Sequence, residues 1–140
     1  MTDAAALADT HRRAFTDERP WSAGEFADLL DKPTTRLTGD AQSFVLGQIV
    51  ADEAEVLTLA THPDHRRRGL ARAALDAFLD AAATAGAATV FLDVAADNAP
   101  ALALYARAGF AECGRRPRYY ARTGGTAVDA VLMRRDLTQG

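Results

Sequence analysis

The feature that most constrains this chain is a strand that passes through an arginine-rich, glycine-bearing turn directly into a helix. Val56-Leu57-Thr58-Leu59-Ala60-Thr61 is an extended, largely apolar run. Arg66-Arg67-Arg68-Gly69-Leu70-Ala71 follows and opens a helix with the cleanest stripe in the chain: Ala71, Ala74, Leu75, Phe78, Leu79 and Ala82. The first N–H groups of a helix have no partner within it, and the helix dipole adds partial positive charge at the same end. A turn of this kind cradles an anion such as a pyrophosphate. Gly69 has no Cβ, so an oxygen can approach the backbone closely, and the arginines add positive charge at the rim. The other readings of the same residues are a solvated helix start or a nucleic-acid patch.

Charge argues against the patch. The chain has 16 Lys and Arg against 19 Asp and Glu, a net charge of −3, which is a poor balance for a general nucleic-acid binder. At 140 residues, with 49% hydrophobic and 25% charged residues, it reads as one globular domain spanning 1–140. Cys113 is the single cysteine, so a disulfide framework or a cysteine-based zinc site within one chain is excluded. The three histidines lack metal-ligand spacing, and no metal site is expected. Cys113 itself reads as a small buried residue rather than an acyl-carrying nucleophile. No apolar run reaches the roughly 20 residues of a membrane span, and Asp3 and Asp9 argue against a signal peptide. The expected compartment is therefore the cytoplasm.

The rest of the pattern supplies the elements around the turn. Ala4, Leu7, Ala8, His11 and Phe15 recur at helical spacing. Ser22 and Glu25 form a capping box, with Trp21 and Phe26 placed as a hydrophobic staple, and that second helix stops before Pro33. Ser43–Ala51, with Gly47 as a bulge position, and Glu53–Thr61 read as a hairpin about Asp52. Gly86 closes the arginine-loop helix. Thr89–Val94 is a strand. Asn98 is the N-cap of a helix carrying Pro100, Leu102, Leu104 and Tyr105, closed by Gly109. A strand over Phe110–Gly114, a loop over Arg115–Gly125 and a strand over Ala127–Met133 complete one α/β (α+β) domain.

The pattern from Arg66 to Ala71 is Arg or Gln, two residues, Gly, one residue, then Gly or Ala. It resembles the acetyl-CoA signature of the GNAT N-acetyltransferases. A longer series, in order, resembles the RimI-type branch, which acetylates the N-terminal alanine of a small-subunit ribosomal protein. The series is Pro20-Trp21-Ser22 with Phe26, Asp52-Glu53-Ala54, Phe91-Leu92-Asp93-Val94, Asn98-Ala99-Pro100-Ala101, Leu104-Tyr105, Gly109-Phe110, Tyr119-Tyr120 and Asp129-Ala130. The likeness runs from about Phe15 to Leu137.

The resemblance implies the GNAT fold: a mixed, mostly antiparallel sheet, splayed at the acetyl-CoA site, with helices on both faces. It implies acetyl transfer from acetyl-CoA to a primary amine by direct attack in a ternary complex, with a protein N-terminal α-amine as the preferred acceptor. A small-molecule amine, and a non-catalytic acyl-CoA-binding domain, are the alternatives. By position, the backbone of Leu59, Ala60 and Thr61 flanks the pantetheine arm and thioester. Arg66, Arg67, Arg68, Gly69, Leu70, Ala71 and Arg72 hold the pyrophosphate through main-chain N–H groups. Asn98 contacts the coenzyme beside the splay, Asp93 stands at the general-base position, and Tyr105 at the general-acid position.

Two departures from the family matter. It usually has Glu where this chain has Asp93, so the carboxylate is shorter by roughly 1.3–1.5 Å, and a bridging water is one way to span the gap. The family also commonly opens with a strand before its first helix, whereas this chain begins almost inside that helix. The sheet is therefore expected to lack its usual first strand, and the protein to be a monomer or a homodimer.

Acetyl transfer needs a neutral amine, a donor for the developing oxyanion and a proton for the leaving thiolate. An α-amine, with a pKa near ~8, costs about 3 kcal/mol less to deprotonate than a lysine near ~10.4, so a short carboxylate suits it better. Tyr105, with an ordinary pKa near ~10, can donate to a thiolate; its other reading is a member of the apolar face beside Leu102. Asp93 is either the base, the partner of a nearby arginine or the cap of a strand end. Glu53 and Glu55 are backup bases on the neighbouring strand, expected to face solvent. Arg115–Tyr120 is either a wall of the acceptor groove or a surface hairpin.

Overall fold

In the computed structural model, the described residues are 3–15, 19–66, 68–122 and 124–137. Local chemistry sets most of the helix ends. Asp3 caps α1 (Ala4–Ala14), its carboxylate accepting from the Ala6 N–H at 2.8 Å. Ser22 and Glu25 form the reciprocal capping box of α2 (Ala23–Leu30), and the Trp21 and Phe26 rings lie 5.4 Å apart. α3 (Leu70–Thr84) buries Ala74, Leu75, Phe78, Leu79 and Ala82, and Gly86 follows it at φ 95°. α4 (Ala99–Arg107) is capped by Asn98, whose Oδ1 accepts from the Ala101 N–H at 3.2 Å.

The strands are β1 (Thr35–Gly39), β2 (Ser43–Val50), β3 (Glu53–Thr61), β4 (Thr89–Ala95), β5 (Ala111–Tyr120) and β6 (Val128–Asp136). They form one sheet in the order β1-β2-β3-β4-β6-β5, and β3–β4 is its parallel pair. α3 and α4 cover one face, over a core that includes Val45, Val56, Leu75, Phe78 and Leu92. α1 and α2 cover the other, over Leu7, Phe26, Phe44, Leu46 and Ala60. Each fully buried Leu or Phe here contributes about 1.5–3 kcal/mol relative to exposure.

Three expectations are corrected. β1 did not stand out in the sequence, because Thr35-Arg36-Leu37-Thr38-Gly39 has one large apolar residue and forms a half-exposed edge strand. Arg115–Tyr120 is not a loop: β5 runs on to Tyr120 through two register shifts, with Arg118 at φ 52°. Pro117 fits there because an edge strand needs no N–H on its open side. Cys113 is exposed rather than buried, since it lies on this same edge strand. Among the described residues no strand precedes α1, so β1 stands at one edge of the sheet.

The hairpin of β2 and β3 carries the irregularity that shapes the site. Its register passes from Leu46↔Thr58 to Gly47↔Val56, leaving Leu57 without a partner in β2. Gly47 is required opposite this bulge. A Cβ there would lie 2.4 Å from Cζ of Phe78 and 2.5 Å from the Glu55 carbonyl oxygen. The extra residue reverses which side chains face which core. Ala54 and Val56 pack under α3, whereas Ala60 packs under α1 and α2.

Candidate active site

β3 and β4 pair from Glu53↔Thr89 to Val56↔Leu92, and no further. β4 continues alongside β6 as far as Ala95↔Ala130, so the sheet parts between Leu57 and Asp93. A cavity of about 370 Å³ occupies the wedge. Leu57, Thr58 and Leu59 form one wall, and Asp93, Val94 and Ala95 the other, with Asn98, Ala101 and Tyr105 from α4 behind. His11, Phe15 and Trp21 close it from the α1 side, and Tyr119 and Tyr120 from β5. A second cavity of about 320 Å³ lies next to it, bordered by Gln48, Glu53, Phe91, Arg116 and Leu132. Glu55 and Asp93 border both.

The turn into α3 leaves its helix start uncapped. Gly69 is the N-cap of α3 in the left-handed conformation, φ 73°, and no side chain caps the first turn. Among the described residues nothing lies within 4 Å of a Cβ built on Gly69, and the first-turn N–H groups of Leu70, Ala71 and Arg72 have no partner within the helix. The guanidinium groups are turned to local partners: Arg66 to the Ala14 carbonyl at 3.3 Å, Arg68 to His65 Nδ1 at 3.4 Å, and Arg72 to Asp76 at 3.0 Å. Arg67 lies outside the described residues. The cradle is thus a backbone device with positive charge around it.

Of the three β3 residues expected to flank a pantetheine arm, Leu59 borders the cavity. Ala60 is buried in the α1–α2 core, and the Thr61 hydroxyl lies 2.8 Å from the Ser43 hydroxyl. Ala60 and Thr61 can therefore offer main chain only, along the β3 edge that β4 has left.

Tyr105 belongs to the apolar face of α4 and also reaches the cavity. It is 5% exposed, packs edge-on against Phe110 with ring centroids 5.7 Å apart, and also borders the cavity. Burial pushes its phenol above the ordinary value, and nearby Tyr120 adds to this, so it stays a protonated donor. Asp93 is half-buried, and among the described residues its carboxylate has no hydrogen bond or ion pair. It is not tied to an arginine. Asn98 uses its side-chain oxygen as the helix cap and also borders the cavity.

The sequence reading missed part of the site. Glu55 is exposed, as expected, and it also rims both cavities. Burial raises its pKa, the charge of Asp93 raises it further, and Arg116 opposes both. His11, Phe15 and Trp21 had signalled only helix packing and a staple. In the structure the His11 ring stacks 5.2 Å from Trp21 and lies 4.6 Å from Phe15, and its Nδ1 accepts from the Trp21 N–H at 3.2 Å. Tyr119 and Tyr120 reach the cavity because β5 continues past Gly114. Arg122 then ties the segment after β5 to the start of α4 through a bidentate pair with Asp97, at 2.9 and 2.8 Å.

Comparison with known proteins agrees with this geometry. The model of the Acetyltransferase (GNAT) family matches residues 5–110. The [ribosomal protein bS18]-alanine N-acetyltransferase of Escherichia coli (strain K12) is 40% identical over 119 residues, covering 81% of this chain and 79% of that protein. The N-alpha-acetyltransferase RimI of Mycobacterium tuberculosis (strain ATCC 25618 / H37Rv) is 35% identical over 143 residues, covering 96% and 87%. The crystal structure of the ribosomal-protein-S18-alanine N-acetyltransferase from Escherichia coli superposes with a TM-score of 0.87 at 34% identity, covering 98% of this chain and 89% of that one. The splayed sheet, the uncapped helix start beside it and these matches lead to one conclusion: the chain belongs to the GNAT acetyltransferase family, and is an N-acetyltransferase that takes its acetyl group from acetyl-CoA.

Proposed function

We propose that the acceptor is the α-amine of a protein N-terminus, of the alanine-first kind named for the Escherichia coli relative, and that transfer is direct, within a ternary complex. The observation that carries this reading is the meeting of Asp93 and Tyr105 in one cavity, from β4 and α4, at the point where β3 and β4 part. The donor fits the residues present: the open cradle over Gly69 suits the pyrophosphate, and the free edge of β3 suits an extended arm.

Acetyl-CoA supplies the activated acetyl group; this chain's residues handle protons and charge. Asp93, directly or through a water, takes a proton from the incoming ammonium. Main-chain N–H groups on the free edge of β3 donate to the oxyanion as the nitrogen attacks. The buried Tyr105 hydroxyl donates to the departing sulfur. At neutral pH about a tenth of an α-amine is already neutral, against well under a thousandth of a lysine, so the α-amine asks less of a base. The aromatic wall of His11, Phe15, Trp21, Tyr119 and Tyr120 provides an apolar approach for the first residues of a peptide. In this reading residues 1–140 act as one domain in the cytoplasm, as a monomer or through a homodimer.

The test is an acceptor panel with purified protein and acetyl-CoA: peptides beginning with alanine, the same peptides blocked at the N-terminus, and small amines and polyamines. Acetylation of the free alanine peptides is expected. Good turnover of small amines with none of the peptides would remove the acceptor assignment. Tyr105→Phe should lower kcat by 10²-fold or more and Asp93→Asn by about tenfold at pH 7, where about a tenth of an α-amine is neutral unaided, and unchanged turnover in both would remove these roles.

A further inference from the structure

Acetylating an ammonium group releases two protons. One ends on the sulfur of the departing thiol, and the other has to reach water. Tyr105 is buried and Asp93 half-buried, so neither is the best-placed group to deliver it.

Glu55 is. The parallel register pairs Glu55 with Phe91 and Val56 with Leu92, the last pair before the splay. Side chains alternate along a strand, so Glu55, Phe91 and Asp93 lie on the sheet face opposite α3. Asp93 is the first residue of β4 beyond the last pair, and Glu55 the last on that face of β3 before the bulge at Leu57. Both carboxylates border the inner cavity, which holds Tyr105, and the outer cavity beside Val50, which is 55% exposed. Their charges act on each other. The other titratable or charged groups bordering the two cavities are Glu53 of β3, Arg116, Tyr119 and Tyr120 of β5, His11 of α1 and Tyr105 of α4.

Resting on the acceptor reading above, we propose that Glu55 is a proton-relay residue: Asp93 takes the proton from the acceptor's ammonium in the inner cavity, and Glu55 passes it to water in the outer one. The steps balance. R–NH₃⁺ and the Asp93 carboxylate give R–NH₂ and the carboxylic acid. That proton moves to the Glu55 carboxylate and then to water, restoring both anions. The nitrogen lone pair forms the N–C bond as the C–S bond breaks, Tyr105 gives its hydroxyl proton to the sulfur, and the surplus proton on nitrogen restores Tyr105. Arg116, at the border of the outer cavity, opposes the charge of Glu55.

The test is Glu55→Gln, a near-isosteric change at an exposed side chain, assayed with an alanine-first peptide and acetyl-CoA from pH 6 to 9.5. At pH 7 kcat should fall about tenfold, because roughly a tenth of an α-amine is neutral without help. The deficit should shrink to within about twofold by pH 9, above the α-amine pKa near ~8, with KM for acetyl-CoA unchanged. Added imidazole or formate should raise kcat of the variant and leave the wild type alone, since the outer cavity admits a small base. Wild-type turnover with Glu55→Gln within twofold of it at pH 7 overturns the relay alone. So does a deficit that neither pH nor added base relieves. A wild-type protein inactive on the peptide overturns the acceptor reading and the relay with it.

Discussion

His11 makes the fold sensitive to acid, by an amount the structure allows to be worked out. Its side chain is buried, with the residue 3% exposed, between Trp21, Phe15 and Phe26. Nδ1 accepts from the Trp21 N–H, so the ring is neutral with its proton on Nε2. Burial lowers its pKa from 6.5 to about 4, with Glu25 pulling it up and Arg19 pushing it down. The folded pKa lies below the unfolded one, so the unfolded chain binds the extra proton between them. Stability from this group is complete above pH 6.5 and falls as pH drops, by about 1.4 kcal/mol per unit, until it levels off below about pH 4. From pH 7.5 to 5 the loss is about 2 kcal/mol. The assay is urea unfolding followed by the fluorescence of Trp21, the single tryptophan, at both pH values for the wild type and His11→Gln. Glutamine keeps an acceptor for the Trp21 N–H and does not titrate. Carboxylates common to both proteins cancel in the comparison, including the raised Glu55, whose contribution runs the opposite way with pH. The wild type should lose about 2 kcal/mol more than the variant. Equal pH dependence within about 0.5 kcal/mol would show that burial does not hold His11 neutral, and would refute the reasoning.

Two further outcomes test the backbone devices. Gly47→Ala places a Cβ 2.4 Å from the Phe78 ring and 2.5 Å from the Glu55 carbonyl oxygen, so α3 or the bulge must shift. A loss of about 1–3 kcal/mol is expected by urea unfolding, with kcat lowered because the shift reaches Leu57 and Glu55. Gly69→Ala meets no neighbouring atom but forces a Cβ onto φ 73°, at a cost of about 1–2 kcal/mol. Its expected signature is a severalfold higher KM for acetyl-CoA with kcat changed much less. An unchanged KM would mean that the approach over Gly69 is not the route of the anion.

What the sequence disclosed and what it withheld divide along a physical line. The capping box at Ser22 and Glu25, the glycine stops at Gly86 and Gly109, the Asn98 cap and the stripe of α3 are interactions between residues within a few positions of one another, so a linear pattern carries them. β1 and the far half of β5 are edge strands, held chiefly by main-chain pairing to a neighbour, and their exposed side chains follow no apolar alternation. The site divides in the same way. The cradle at Gly69 is local and was legible. The meeting of Glu55 and Asp93 at the same two cavities is not, because it depends on where the parallel register of β3 and β4 stops. Gly47 marked the place of the bulge but not that its extra residue is Leu57 on the opposite strand. That residue decides the chemistry. With unbroken alternation past Val56, Leu57 and Leu59 would share the face of Glu55. The bulge instead turns Leu59 toward the α3 core and away from the face of Glu55. The bulge therefore governs what stands next to Glu55 at the splay, and deleting Leu57 should abolish activity by restoring regular pairing. An active, correctly folded deletion variant would show that the wedge does not depend on the bulge.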